Sequence, residues 1–217
     1  MTFMISAPRR AGLAALLVAA GLLGACAPLL IGGAAVGGTM MATDRRSAGA
    51  QVDDQVIEGK AANAVSTLLV ERAHVNATSY NRMVLLTGEV PTEADKVAVA
   101  KAVSQIESVR SIVNDLAVMP NSSLTARSED SIITGKVKAE FVGASDLSTN
   151  TIKVVTERGV VFLMGLVTET EAKRAVELTR GVGGVQKVVR VFQIVTPAEA
   201  AAMQPGAPAS APAAAKS

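Results

Sequence analysis

The two side chains that most often carry chemistry, cysteine and histidine, occur once each in this chain, as Cys26 and His74. A single cysteine allows no intramolecular disulfide and no cysteine-rich metal site, and His74 has no second histidine or cysteine to share a metal with. Serine and threonine are plentiful, but no histidine is placed to activate one of them as a nucleophile. The sequence therefore predicts no catalytic residue, no metal site and no cofactor.

The surroundings of Cys26 predict the attachment of lipid instead. Arg9 and Arg10 precede an apolar run at 11–23, and small residues lead to the cysteine in Leu23-Gly24-Ala25-Cys26. This order is typical of a secretion signal. The tetrapeptide resembles the bacterial lipobox, at which a diacylglycerol is attached to the cysteine thiol and the chain is cut before it. The alternative is a free cysteine in an ordinary signal or membrane anchor.

The predicted signal peptide covers 1–25, and 26–50 is predicted to be the lipidated cysteine followed by a flexible tether. Residues 11–43 carry no charge, and a segment of this length could span a bilayer. The part at 27–38 contains glycines and a proline, however, and therefore suits a tether beside the membrane better than a second helix. Ala27, rather than Asp, follows the cysteine, and by resemblance to Gram-negative sorting rules this favours the outer membrane, facing the periplasm.

Composition limits what the folded part can be. The chain has 217 residues, enough for one or two domains, with 49 % apolar but only 2 % aromatic residues. Its cores must therefore be built from Val, Leu, Ile and Ala. The formal net charge of +2 is too close to balance to indicate a nucleic-acid-binding protein.

An internal repeat organises the rest. The apolar strands Met83–Val90 and Val160–Val167 each contain a glycine, and the two glycines lie 77 residues apart (165 − 88). Each copy belongs to a module with the element order αββαβ. We expect an α+β fold with two such modules in tandem, each a small mixed three-stranded sheet with both helices on one face. The predicted boundaries are 51–119 for the first module, 120–127 for a linker, 128–196 for the second module and 197–217 for a disordered Ala/Pro-rich tail.

Helical and alternating periodicity predicts the individual elements. For the first module these are a helix capped by Asp53 or Asp54, strands at 74–80 and 83–90, a helix starting at Pro91, and a closing strand at 109–119. For the second they are a helix capped by Ser128 or Asp130, strands at 151–157 and 160–167, a helix starting at Thr168, a glycine stop at 181–184, and a closing strand at 185–195.

The whole pattern resembles the family of outer-membrane lipoproteins with two BON domains. The resemblance is carried by the lipobox, by Asp44-Arg45-Arg46 and Gln51-Val52-Asp53-Asp54 ahead of the first module, and by Val155-Thr156-Glu157, the run from Val161 to Glu169, and Glu171-Ala172-Lys173 in the second. It implies a non-enzymatic protein that binds anionic phospholipid through its second BON domain, supports outer-membrane integrity, gathers at the division site, and influences outer-membrane protein assembly and cell-wall amidase activation.

The helix predicted at 128–142 is the best candidate for the lipid contact. From 51 to 118 the net charge is −3, and from 128 to 196 it is +1. With Ile133, Val137 and Phe141 turned inward, the 100° step per residue places a flat strip outward. That strip and its flanking lysines are Ser128, Ser131, Ile132, Gly135, Lys136, Lys138 and Ala139.

Two interpretations of this strip follow from the residues. Small side chains, one exposed Ile and two lysines suit shallow contact with an anionic bilayer of phosphatidylglycerol or cardiolipin. Alternatively, Ile132 and the small residues pack against the first module. The family pattern has an aromatic residue at the position of Ile132, and its absence here weakens anchoring.

Two rival functions remain open. One is a lipid-anchored periplasmic adaptor for the outer-membrane assembly machinery or for cell-wall amidase regulators. The other is an osmotic-stress periplasmic protein, against which the lipobox argues because that group is soluble in the periplasm.

Overall fold

The computed structural model describes residues 44–70 and 72–203. The predicted signal peptide, Cys26 and the tether up to residue 43 lie outside these residues, as does the tail beyond 203. Within the described part, no helix is both long and apolar enough to cross a bilayer.

The first module contains two helices and four short or medium strands. They are α1 (Ala48–Leu69), β1 (His74–Tyr80), β2 (Met83–Val90), α2 (Glu93–Ser104), β3 (Ser111–Asn114) and β4 (Ala117–Val118). The second module contains α3 (Leu124–Gly143), a 3₁₀ turn (Thr149–Thr151), β5 (Ile152–Glu157), β6 (Val160–Val167), α4 (Glu169–Arg180) and β7 (Lys187–Ile194). A short helix, α5 (Pro197–Ala202), follows.

The two sheets have the same topology. β2 lies between β1 and β3, antiparallel to the first and parallel to the second, and β4 continues the parallel pairing along β2. β6 likewise lies between antiparallel β5 and parallel β7. The predicted α+β fold of two tandem αββαβ modules is confirmed.

Each module has a helix-side core. In the first, Ile57 and Ala61 of α1 and Val99 of α2 pack with Val84 and Leu86 of β2. In the second, Val137 and Phe141 of α3 and Ala175 of α4 pack with Val161 and Leu163 of β6. Both helices of a module therefore cover one face of its sheet.

The other faces of the two sheets pack against each other. Leu85 and Tyr80 of the first module share a buried cluster with Phe162, Met164 and Val191 of the second. The layers are therefore helices, sheet, sheet, helices. This arrangement explains the uninterrupted apolar runs of β2 and β6, since each central strand is covered on both faces.

The repeated glycine has a steric reason in both modules. A Cβ on Gly88 would lie 2.0 Å from the carbonyl oxygen of His74, and one on Gly165 would lie 2.5 Å from that of Thr151. Gly88 also has a φ of +110°, which L side chains rarely adopt. The glycines let the first strand of each hairpin approach the central strand closely, so they are structural.

Several predicted element ends are wrong because other groups cap the helices. Ser47 caps α1 and Ser123 caps α3, in place of the predicted aspartates and Ser128. Thr92, rather than Pro91, precedes α2. Because α3 begins at Leu124, the predicted linker contributes its second half to that helix.

Two further expectations differ at the ends of the modules. The closing strand predicted at 109–119 is divided into β3 and β4, because the side chain of Asn114 accepts a hydrogen bond from the Leu116 amide (3.2 Å) and Leu116 turns into the core. The tail predicted to be disordered from 197 begins with α5. Thr196 and Glu199 form a capping box that satisfies its first amides.

Candidate functional site

Helix α3 turns one face toward the core and the opposite face to solvent. Its inward residues Ile133, Val137 and Phe141 are buried. The seven residues predicted to contact lipid are all exposed, and they are Ser128, Ser131, Ile132, Gly135, Lys136, Lys138 and Ala139. The structure therefore places them on one accessible surface, which we call the α3 face; lipid contact by this face stays a prediction.

The chemistry of the α3 face is apolar in its middle and cationic on its flanks. The hydroxyls of Ser128 and Ser131 donate to the carbonyls of Leu124 and Arg127 (both 2.9 Å), one turn back along the same helix. Their polar hydrogens are thus already bonded, which lowers the cost of removing water from them. Ile132 is 58 % exposed.

The alternative in which Ile132 packs against the first module disagrees with the structure, in which the Ile132 side chain is exposed. The modules meet through their sheets, and the helices of the second module lie on the side of the sheet away from the first. Ser131, at the edge of the α3 face, lines a small cavity together with His74 and Asn76 of the first module.

Sequence reasoning missed two apolar side chains on the α3 face. Leu124 is 79 % and Val142 is 75 % exposed. They are 18 residues apart, which is five full turns of a helix, so both lie on the α3 face with Ile132. At 1.5 Å per residue they are about 27 Å from each other. They were missed because the helix was expected to start at Ser128; the Ser123 cap is the signal that would have included Leu124.

A cleft borders this face. It has a volume of about 750 Å³ and lies between α3, the β5–β6 turn and the loop before β7. Ile132 and Lys136 of the α3 face form part of its wall, together with Glu129, Asp130 and Gly159.

A second polar cluster lies between the modules. Buried Glu89 accepts from His74 Nδ1 (3.1 Å), Arg158 Nη1 (3.0 Å) and the Ser122 amide (3.0 Å). Glu157 of the second module lies close by, with an oxygen 4.0 Å from His74 Nδ1. Burial raises the pKa of Glu157, whereas the Ser122 amide and Arg158 outweigh burial and lower the pKa of Glu89.

These contacts bear on metal binding. One ligand atom each of His74, Glu89 and Glu157 lies within 4.8 Å of the others, a juxtaposition that the sequence did not predict. However, Arg158 already neutralises Glu89, and the Asn76 amide donates to Glu157 (3.2 Å). The cluster therefore fits an ion-pair network that joins the modules better than a cation site.

The segment before α1 is fastened to the second module. Arg45 makes two hydrogen bonds to the Glu171 carboxylate (2.8 and 2.7 Å) and one to the Leu166 carbonyl (2.9 Å). The Arg45 guanidinium holds the pKa of Glu171 down at about 2. Arg46 binds Asp44 and Asp54 and lies 4.3 Å from the centre of the Tyr80 ring.

Fold and surface together define a protein of two tandem α+β modules, with no assembled catalytic site among the described residues. The BON domain family model matches 53–120 and 129–196. The chain is 38 % identical over 183 residues to outer membrane lipoprotein DolP of Haemophilus influenzae, covering 83 % of this chain and 94 % of that protein. It therefore belongs to the dual BON-domain family that includes DolP.

The chain is also similar to two further proteins over shorter stretches. A 21 kDa hemolysin of Actinobacillus pleuropneumoniae is 36 % identical over 70 % of this chain and 79 % of its own length. Osmotically-inducible protein Y of Escherichia coli is 27 % identical over 63 % of this chain and 70 % of its own length. Family membership points to a binding protein rather than an enzyme.

Proposed function

We propose that this chain is an outer-membrane lipoprotein, anchored through Cys26 and facing the periplasm, that binds anionic phospholipid through the α3 face and supports outer-membrane integrity. The observation that carries the lipid contact is the exposure of Leu124, Ile132 and Val142 along one side of α3, with Lys136 and Lys138 on its two flanks. The name of the DolP relative supports the location.

The magnitudes favour shallow, reversible binding. Each lysine near an anionic surface contributes about 1 kcal/mol, and removing one large apolar side chain from water contributes about 1.5–3 kcal/mol at most. Small residues between the three apolar ones let the helix lie flat on the headgroups. The anchor at Cys26 would supply stable attachment, so the α3 face needs only to orient the protein.

Co-sedimentation with phosphatidylglycerol or cardiolipin vesicles tests the lipid contact. Replacing both lysines, Lys136→Glu with Lys138→Glu, is expected to abolish binding without unfolding the module. A matched control reverses two exposed lysines of the first module, Lys60→Glu with Lys101→Glu, and should bind as the parent does. Equal co-sedimentation of all three proteins would refute the proposal.

Labelling cells with a palmitate analogue tests the anchor separately. The parent chain should take up the label, and Cys26→Ala should remain unprocessed and unlabelled. Unchanged processing of the variant would show that Cys26 is not the lipidated residue.

A second candidate function is a lipid-anchored adaptor for outer-membrane protein assembly or for cell-wall amidase regulation, including a role at the division site. The observation in its favour is that the same exposed apolar side chains suit a protein surface. Photo-crosslinking from position 132 separates the two: crosslinks to lipid support the first function, and crosslinks to one protein support the second.

A further inference from the structure

In both modules an aspartate of the first helix binds the turn of the β-hairpin. In the first, Asp54 of α1 accepts hydrogen bonds from the Asn81 and Arg82 amides (both 2.7 Å). In the second, Asp130 of α3 accepts from the Arg158 and Gly159 amides (2.7 and 2.8 Å). Asp53 and Glu129 precede these aspartates, so Asp53 corresponds to Glu129 and Arg82 to Gly159.

In the first module two arginines neutralise the acidic pair. Arg82 Nε donates to Asp53 Oδ2 (2.7 Å), and Nη2 lies 2.6 Å from the same oxygen. Arg46 donates to Asp54 at 2.8 Å. A guanidinium can bring two of its nitrogens close to one carboxylate oxygen in this way, because its planar fork holds them side by side, and an ammonium cannot.

In the second module neither arginine has a counterpart. Gly159 stands where the first module has Arg82, and within the described residues no cation lies within 4 Å of the carboxylate of Glu129 or Asp130. The cleft beside the α3 face is lined by these same residues, so it opens at the position that corresponds to the Arg82 side chain.

The rest of the cleft suits the aliphatic part of an arginine. Ile132 and Ile133 form an apolar wall, and Gly183 and Gly184, which have no side chains, leave space on the other side. Of the two cations in the lining, Arg158 is held by Glu89 and by the Gly88 carbonyl, both at 3.0 Å. Lys136 is seven residues from Glu129, about 10 Å along the helix, and leaves the carboxylate accessible.

We propose that this cleft binds an arginine side chain of a partner protein, whose guanidinium takes the place at Glu129 that Arg82 takes at Asp53. Because Ile132 and Lys136 belong to both the cleft and the α3 face, such a partner and a lipid surface would compete. The arginine site itself does not depend on lipid binding.

The first test is an amide-shift NMR titration of the full chain in a non-ionic detergent with three capped tripeptides, Gly-Arg-Gly, Gly-Lys-Gly and Gly-Gln-Gly. The arginine peptide should shift the amides of Gly159, Gly183 and Gly184 and bind at least about tenfold more tightly than the glutamine peptide. Glu129→Gln should remove this difference. Glu140→Gln, at another exposed carboxylate of α3, is the matched control and should keep it.

A second variant fills the cleft from within. Arg is compatible with the backbone at 159, because Gly159 has φ +70° and Arg82 has φ +66°. A Cβ at 159 would lie 3.0 Å from the Gln186 side chain, so Gly159→Arg is combined with Gln186→Ala. This protein should lose arginine-peptide binding.

The possible outcomes are distinct. Equal binding of the arginine and glutamine peptides, or unchanged binding by Glu129→Gln, would overturn the proposal. Shifts produced by short-chain phosphatidylethanolamine but not by the arginine peptide would overturn it in favour of a lipid headgroup. Lys138 lies on the flank of α3 away from the cleft. Lys138→Glu should therefore weaken vesicle binding and leave peptide binding intact, so the two proposals can fail independently.

Discussion

The Tyr80 hydroxyl of the first module donates a 3.0 Å hydrogen bond to the main-chain carbonyl of Thr151 in the second, and both residues are buried. Burial raises the pKa of Tyr80 to about 12, so the hydroxyl remains protonated and able to donate at any physiological pH. The bond lies beside the apolar layer between the sheets, where it fixes the position of one sheet on the other. The tandem modules are therefore one folded unit.

Tyr80→Phe tests that contact. The substitution keeps the ring in the layer between the sheets but leaves the Thr151 carbonyl without this donor, which should cost about 1–2 kcal/mol. Urea unfolding followed by circular dichroism should show one transition shifted to lower urea. Two separate transitions in the parent protein would contradict the view that the modules unfold together.

The aspartate that binds the hairpin turn should stabilise the first module more than the second. Asp54 accepts from the Ser79 hydroxyl (2.6 Å) and from Arg46 as well as from two amides, whereas Asp130 accepts from two amides. Asp54→Ala should therefore cost about 3–5 kcal/mol, because it leaves the Ser79 hydroxyl and two amides without their acceptor. Asp130→Ala should cost about 1–3 kcal/mol. The free energies of unfolding of the two variants give the comparison, and the reverse order would contradict it.

Arg45 should make stability depend on acid pH. The folded-state pKa of Glu171 is about 2, below its ordinary value of 4.5, so the unfolded chain takes up the proton first as the pH falls. The stabilisation is complete above about pH 5 and is lost between there and pH 2. Arg45→Ala should lower stability at pH 7 by about 1–3 kcal/mol and by a smaller amount near pH 3, where part of this stabilisation is already lost.

Urea midpoints at the two pH values measure this effect. Arg72→Ala serves as the control, since its ion pair with Asp95 is 3.8 Å long and its side chain is 57 % exposed. That variant should change stability by less than about 1 kcal/mol. An Arg45→Ala effect of equal size at pH 7 and pH 3 would show that Glu171 ionisation is not its cause.

The outer apolar residues of α3 should contribute to vesicle binding. Leu124→Ser with Val142→Ser removes two exposed side chains and should weaken binding to phosphatidylglycerol vesicles by about tenfold or more, with little change in stability. Val97→Ser, at a 64 % exposed residue of α2 in the first module, is the matched control. Weakening by the control as large as that of the double variant would place the contact elsewhere.

Local patterns were sufficient to predict most elements. The strands 74–80, 83–90 and 160–167 agree with the structure residue for residue, because apolar or alternating runs bounded by turn residues have few other stable conformations. Helix starts were predicted less well. Aspartate is a good cap in isolation, but here Asp54 and Asp130 are used by the turns of hairpins that follow 25 or more residues later, and serines take the capping positions.

The inward residues of α3 follow from helical spacing, and all seven predicted contact residues are exposed as expected. Leu124 and Val142 were not predicted to belong to the α3 face, because the helix was expected to start at Ser128. The cleft could not be predicted, because Glu129, Gly159 and Gly184 meet only when the hairpin and the last loop of the module fold against α3.

By itself, the sequence determined the family, the repeated αββαβ order and the side of α3 that faces water, since each depends on the spacing of residues near in the chain. Only the tertiary structure decided that the two sheets dock face to face. Both faces of β2 and β6 are apolar, and short-range pattern cannot state what covers the second face. The partner of Leu85 is a cluster some 80 residues away around Phe162, and that choice depends on packing two surfaces, not on local propensity.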